Sequence, residues 1–145
     1  MFRSYHGSNL SAIKEIQAGK INWHTGGGEL GKGFYTTPDQ WVAFKASWNN
    51  NNREAHVVEI VVKNTNIIKL NQNVFNLFYA QIERELIKKS SSQRTYVYPF
   101  FDMIESPIVG ATKYNKNLQH KWQSDRSADL LNSTLVSRKI ISNGS

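Results

Sequence analysis

Two short stretches hold the residues whose types and spacing suit chemistry. The first is Tyr5-His6-Gly7-Ser8. A histidine ring donates or accepts a hydrogen bond, for example with a sugar hydroxyl. The glycine beside it lets main-chain N–H and C=O groups reach a flat amide ligand. The second is Gly26-Gly27-Gly28-Glu29-Leu30-Gly31-Lys32-Gly33-Phe34-Tyr35-Thr36-Thr37-Pro38-Asp39, with five glycines in its first eight positions. Such a loop can take positive φ and let a ligand come close. Tyr35 alternates with Phe34, so one faces the core and the other a cleft, where an aromatic ring stacks on a planar ring. Each has a structural alternative: His6 packing a turn, Tyr35 filling the core, Lys32 solvated rather than touching a phosphate.

Other chemistries are poorly represented. The chain has no cysteine, which excludes a disulfide framework, a thiolate zinc site and a cysteine nucleophile. His24, His56 and His120 show no metal-ligand spacing with carboxylates. No nucleophile-elbow, P-loop or dinucleotide-binding glycine pattern occurs. The net charge is +7 and the sequence pI about 9.7, which suits a polyanionic partner such as nucleic acid or a nucleotide's phosphates. The lysines are scattered and form no dense tract. No apolar run approaches a membrane span and the first residues lack a signal-peptide core, so a soluble chain without a membrane partner is expected.

The elements that must position these residues follow from patterning. Residues 3–7 read as a strand, and 10–18 as a helix with Leu10, Ile13 and Ile16 at helical spacing, capped by Asn9 and closed by Gly19. Residues 21–24 read as an extended piece and 33–37 as a strand. Thr37-Pro38-Asp39-Gln40 reads as a capping box with proline at the first helical position. The helix it opens carries Trp41, Phe44 and Trp48 on one apolar face. Residues 49–52 read as a polar asparagine loop. Residues 55–62 are the clearest strand. Residues 73–89 read as a helix with Phe75, Phe78, Ile82 and Leu86 inward, and 90–93 as a loop. Residues 96–104 read as strand broken by Pro99, either an edge strand or two pieces. Residues 114–123 form another, with Leu118, His120 and Trp122 on one face and Gln119, Lys121 and Gln123 on the other. Ser124 caps a helix through Leu131, and 135–141 close the chain as a strand. All four tryptophans are assigned to the core. With no repeat or linker, the chain reads as one α+β domain of 145 residues.

Tyr5-His6-Gly7-Ser8, then Gly31-Lys32-Gly33-Phe34-Tyr35-Thr36-Thr37, then a helix with Ala43 and Phe44, resembles the ADP-ribosyltransferase superfamily. The likeness is to the H-Y-E/D/Q branch, that of poly(ADP-ribose) polymerase and diphtheria toxin, and to its small bacterial toxin-like members. It covers residues 3–48 and returns at 101–109 and 119–131. The resemblance implies a single domain with split β-sheets and a few helices around an NAD cleft. It implies that His6 hydrogen-bonds the adenine-side ribose of NAD, that Gly7 holds the nicotinamide carboxamide, and that Tyr35 stacks on the nicotinamide. Ser8 and Thr36 would line the same cleft. The third family position, usually glutamate, falls on Gln119, with Gln123 and Glu105 as second choices. A glutamine accepts the same ribose hydrogen bond without a negative charge.

The implied function is NAD-dependent mono-ADP-ribosyl transfer to a macromolecule, RNA, DNA or protein, with NAD as substrate and no metal. The resemblance also implies toxin or effector use in a cytoplasm, its own or that of a target cell after secretion, with a cognate immunity or antitoxin protein. The alternatives are a degenerate, non-catalytic member of the fold, a basic RNA-binding module, and an NAD glycohydrolase.

Overall fold

A computed structural model describes residues 1–50, 54–110 and 117–142, with side chains at 49, 50 and 142 left aside. The fold is α+β and divides into two units interleaved in sequence.

The first unit holds Met1–Ile21, Thr36–Lys69 and Asp129–Ser145. Its frame is an antiparallel sheet of β1 (Phe2–Ser8), β5 (His56–Val62) and β9 (Val136–Ser142), with β5 in the middle. In β5, His56, Val58, Ile60 and Val62 are all buried, while Glu59 and Val61 are partly exposed. Val57 is buried as well, because helix α2 (Gln40–Asn50) packs on β1 and β5. Helix α1 (Leu10–Gln17) packs on β5 and β9 through buried Ile13 and Ile16. Its ends are as the sequence dictates. The Asn9 side chain accepts from the Ala12 amide, and Gly19 follows at φ +77°. A one-turn helix, α3 (Asn64–Ile67), follows β5.

Helix α2 differs from expectation at both its start and its face. Thr37 does not cap it. Thr37 exchanges both main-chain bonds with Tyr5, at 2.8 and 2.9 Å, and the Ala43 amide bonds to the Asp39 carbonyl instead, so the helix starts two residues later. The cap is Asp39, whose Oδ1 accepts from the amides of Trp41 and Val42. The buried face is Val42, Ala43 and Ser47, while Trp41 is 49% exposed. Small residues face β1 because the strand lies close there. Of the four tryptophans, Trp23 and Trp122 are in the core, Trp48 is half-buried and Trp41 is outside. Asn49 and Asn50 belong to α2 rather than to a loop. Residues 51 and 52 of that expected loop lie outside the described residues.

The second unit holds Asn22–Tyr35 and Leu70–Ala128. A short 3₁₀ turn (Trp23–Thr25) replaces the expected extended piece. It is followed by a hairpin of β2 (Gly27–Gly28) and β3 (Gly31–Lys32), then β4 (Phe34–Thr36). A second sheet has the order β4, β8 (Leu118–Trp122), β7 (Met103–Pro107), β6 (Gln72–Val74). Helix α4 (Leu77–Lys89) packs on β7, and α5 (Asp125–Asn132) carries the chain from the second unit back into the first. The Ser124 hydroxyl accepts from the Ser127 amide at the start of α5, as its expected cap requires. Residues 114–116, expected to open β8, lie outside the described residues.

The expected helix over 73–89 starts later and turns its other side inward. Residues 72–74 pair in parallel with β7, and Asn76 caps α4 by accepting from the Tyr79 amide. Ala80 and Ile87 are buried, whereas Phe78, Ile82 and Leu86 are exposed. Phe75 does enter the core, from the extended segment ahead of the helix, joining Leu30, Ala80, Ile87, Tyr98 and Ile104. The residues around Pro99 are irregular, with Phe100 at φ +73°, and the strand begins at Met103; paired with β6 and β8 on its two sides, it is an inner strand rather than an edge, because Pro99 lies ahead of it. No helix among the described residues is long and apolar enough to cross a membrane. Ile87→Ala is expected to cost about 2–5 kcal/mol of stability by leaving a cavity. Ile82→Ala is expected to cost about 0.5 kcal/mol or less. Denaturant unfolding of both variants checks which face of α4 is inside.

Candidate functional site

In the first unit, the informative geometry is the edge of β1. Tyr5 and Thr37 exchange both main-chain hydrogen bonds, so Tyr5 directs its N–H and C=O away from β5. Main-chain direction alternates along a strand. Gly7, two residues on and paired in unbroken register with Val57, therefore directs its N–H and C=O to the same edge as Tyr5. Among the described residues no main-chain bond reaches Gly7 on that edge. A donor and an acceptor side by side are what a primary carboxamide requires. A side chain cannot stand at Gly7: an added Cβ would lie 2.8 Å from the Ser47 Cβ and collide with the Ala43 carbonyl.

His6 points to the opposite face from Gly7, the face of Ser4, and is partly buried. Ser8 ends β1, and its carbonyl accepts from the Ser47 hydroxyl at 3.0 Å. Thr36 is buried, its hydroxyl accepting from Ser4 at 2.6 Å. Thr36 thus ties the start of the α2 segment to β1 rather than lining an open surface. A cavity of about 570 Å³ in this unit is lined by Asp39, Gln40, Trp41, Phe44 and Val57. One wall, Val57, is the ladder partner of Gly7. The volume lies within the range of ordinary ligand pockets.

In the second unit, Tyr35 and Gln119 sit in a tightly bonded neighbourhood. Glu29 and Leu30 form the two-residue turn of the β2–β3 hairpin, between paired Gly28 and Gly31. Gly31 takes φ +101°, a conformation that favours glycine. Leu30 is 1% exposed and anchors the turn in the core. The close approaches allowed by these glycines are to the protein itself. A Cβ at Gly28 would lie 2.8 Å from the Tyr35 ring, and one at Gly31 would collide with the Tyr96 carbonyl. Tyr35 is partly buried against the core cluster and donates its hydroxyl to the Gly31 carbonyl at 2.6 Å. Burial, with the Glu29 charge adding to it, raises its pKa far above the ordinary phenol value, so the hydroxyl stays a donor. The Lys32 ammonium lies 5.7 Å from the centre of the Trp23 ring.

Gln119 is 8% exposed and donates from Nε2 to Glu29 Oε1 at 2.8 Å. Among the described residues its Oε1 takes no bond from the protein. Gln123 offers nothing comparable. It is 1% exposed, accepts from the Tyr98 amide and Lys121, and donates to the carbonyls of Tyr98 and Phe101. Glu105 is engaged by His120 at 3.0 Å, and burial lowers the His120 pKa against the opposing effect of that carboxylate. Among the described residues no three histidine or acidic side chains converge to hold a metal.

His6, Gly7, Ser8 and Thr36 thus belong to the first unit, Tyr35 and Gln119 to the second. Sequence reasoning misses two residues. Glu29 reads as loop, although an acid between glycines in a two-residue turn is a visible signal. Lys121 reads as part of a polar strand face, yet it is fully buried because β8 is an inner strand. Its ammonium donates to Gln123 Oε1 at 2.7 Å and to the Tyr96 carbonyl at 3.2 Å, and lies 4.8 Å from the centre of the Tyr98 ring.

Compared with models of known protein families and with curated protein sequences, the chain matches none.

Burial pushes the Lys121 pKa down to about 7. Between that value and the ordinary lysine pKa the unfolded chain binds the extra proton. Stability therefore rises with pH across this window, by up to about 1.4 kcal/mol per unit, and the full penalty is present below pH 7. Lys121→Met is expected to raise the melting temperature at neutral pH and to flatten its rise between pH 7 and 10. Thermal unfolding across that range checks it.

Proposed function

We propose that this protein is an NAD-dependent mono-ADP-ribosyltransferase acting on a macromolecular acceptor. The observation that carries the reading is the open donor–acceptor pair of Gly7, at the position where the resemblance calls for a carboxamide clamp. The acceptor oxygen of Gln119, unbonded among the described residues, supports it, as does the division of strands into two main sheets.

In this reading Gly7 fixes the nicotinamide carboxamide through its main chain. By the resemblance, His6 would hydrogen-bond the adenine-side ribose, Ser8 would line the cleft, and Tyr35 would stack on the nicotinamide. Thr36 acts by holding β1 rather than by touching the nucleotide. Gln119 Oε1 accepts from a hydroxyl of the nicotinamide ribose. The bond between the nicotinamide nitrogen and the anomeric carbon breaks, and its electron pair leaves with nicotinamide, which becomes neutral. The acceptor's lone pair bonds to that carbon and its proton passes to solvent. The leaving group is already cationic, so orientation and charge stabilisation supply the rate. The +7 net charge favours a nucleic-acid acceptor, since phosphate contacts come from lysine and arginine.

The test is incubation with adenine-labelled NAD and a lysate divided into protein and nucleic-acid fractions. Label is expected in the nucleic-acid fraction, falling at least tenfold in His6→Ala and Gln119→Ala. Label confined to protein would replace the acceptor. Free ADP-ribose without labelled polymer would make the protein a glycohydrolase. No NAD consumption would make it a binding module.

A further inference from the structure

Glu29 receives more donors than a surface carboxylate does. Its Oε1 accepts from the Val109 amide and from Gln119 Nε2, each at 2.8 Å. Its Oε2 accepts from the Gly110 amide at 2.8 Å and lies 3.5 Å from Arg84 Nε. The side chain is only 14% exposed. Partners from three separate segments therefore meet on one turn of the hairpin. A lone structural bond would not need this arrangement at a residue adjoining Gln119.

The consequence lies in the orientation of the Gln119 amide. An ionised carboxylate has no hydrogen to donate, so only the nitrogen end of Gln119 can face it. The carbonyl end must then face the other way, where no described residue donates to it. We propose that Glu29 is a positioning residue that locks the Gln119 carboxamide with its carbonyl oxygen presented as the acceptor for a ribose hydroxyl. The reaction in which that acceptor serves rests on the transferase reading above; the locked amide does not. Glu29 also places a negative charge one hydrogen bond behind a neutral glutamine, where the family position usually carries its own. Leu30 keeps the turn seated in the core, so the lock stands on a rigid element.

This makes the simplest substitution toward the family pattern counterproductive. Gln119→Glu would set two carboxylates at hydrogen-bond distance. Repulsion would hold one of them protonated or push the side chain away. The exchange of both residues, Glu29→Gln with Gln119→Glu, restores a donor facing an acceptor across the same gap, though the carboxamide put in at position 29 then has one oxygen fewer for the 109–110 amides.

Two readouts separate the lock from the reaction. The first is the Gln119 side-chain amide in a nitrogen–proton NMR spectrum. In the wild type two well-separated resonances with slow solvent exchange are expected. In Glu29→Gln they are expected to shift and exchange at least tenfold faster, while the rest of the spectrum stays dispersed. The second is NAD turnover. Glu29→Gln and Gln119→Glu are each expected to lower kcat at least tenfold with KM changed less than threefold, and the double exchange to recover at least a factor of three over Glu29→Gln. Unchanged amide exchange in Glu29→Gln would overturn the lock whatever the turnover. A protected amide in a protein that consumes no NAD would keep the lock and overturn the transferase reading. Loss of turnover in Glu29→Gln with no recovery in the double exchange would reduce Glu29 to a support of the 109–110 segment.

Discussion

The first unit depends on how strand β1 is held by its main chain. One edge is zipped to β5 over its whole length, from Phe2 opposite Val62 to Ser8 opposite His56. On the other edge, Tyr5 exchanges a double main-chain hydrogen bond with Thr37. That bridge shows which way the peptide groups of the strand alternate. It pins the start of the α2 segment and leaves Gly7 facing outward with both its groups. Helix α2 then lies so close over Gly7 that no side chain fits there. A strand edge so arranged offers a donor and an acceptor side by side, as it would to an additional strand, and the functional proposal starts from that pair.

The second unit reaches a comparable end with side chains. Its glycine-rich hairpin does not stand open as a ligand loop. It lies against Tyr35 and Tyr96, with Leu30 in the core and Glu29 at the junction of three segments. The inner strand β8 carries the polar groups that matter, and each has a defined partner: Gln119 with Glu29, His120 with Glu105, Lys121 with Gln123. Burial makes such bonds stronger and makes an unpaired group costly. The strand is therefore rigid around Gln119 and penalised at Lys121, whose ammonium is held by neutral oxygens rather than by an acid.

Local signals in the sequence read well. Asn9 and Gly19 bracket α1, and the β-branched run of β5 is buried as its composition demands. Tertiary choices read poorly. Helix α4 has two apolar stripes, and the larger one, with Phe78, Ile82 and Leu86, is outside. Phe75 continues that stripe in the sequence but lies ahead of the helix, so it carries no information on its register. Alternation marks Lys121 as solvated, and only its place between β4 and β7 overrides that. His6, Gly7 and Tyr35 stand out in the sequence because they sit in short motifs, and Gln119 is singled out through the resemblance alone. Glu29 carries a local turn signal, but its role does not show there, since its hydrogen-bond partners lie 80 and more residues away.

The central claim is that the Gly7 main chain receives the carboxamide of NAD. Titration of the protein, labelled with ¹⁵N, against NAD and separately against ADP-ribose reads it directly at the Gly7 amide. The account predicts a saturable downfield shift of that resonance with NAD and none with ADP-ribose, which lacks the carboxamide. A Gly7 resonance that stays in place at saturating NAD, or moves equally with both, would contradict it.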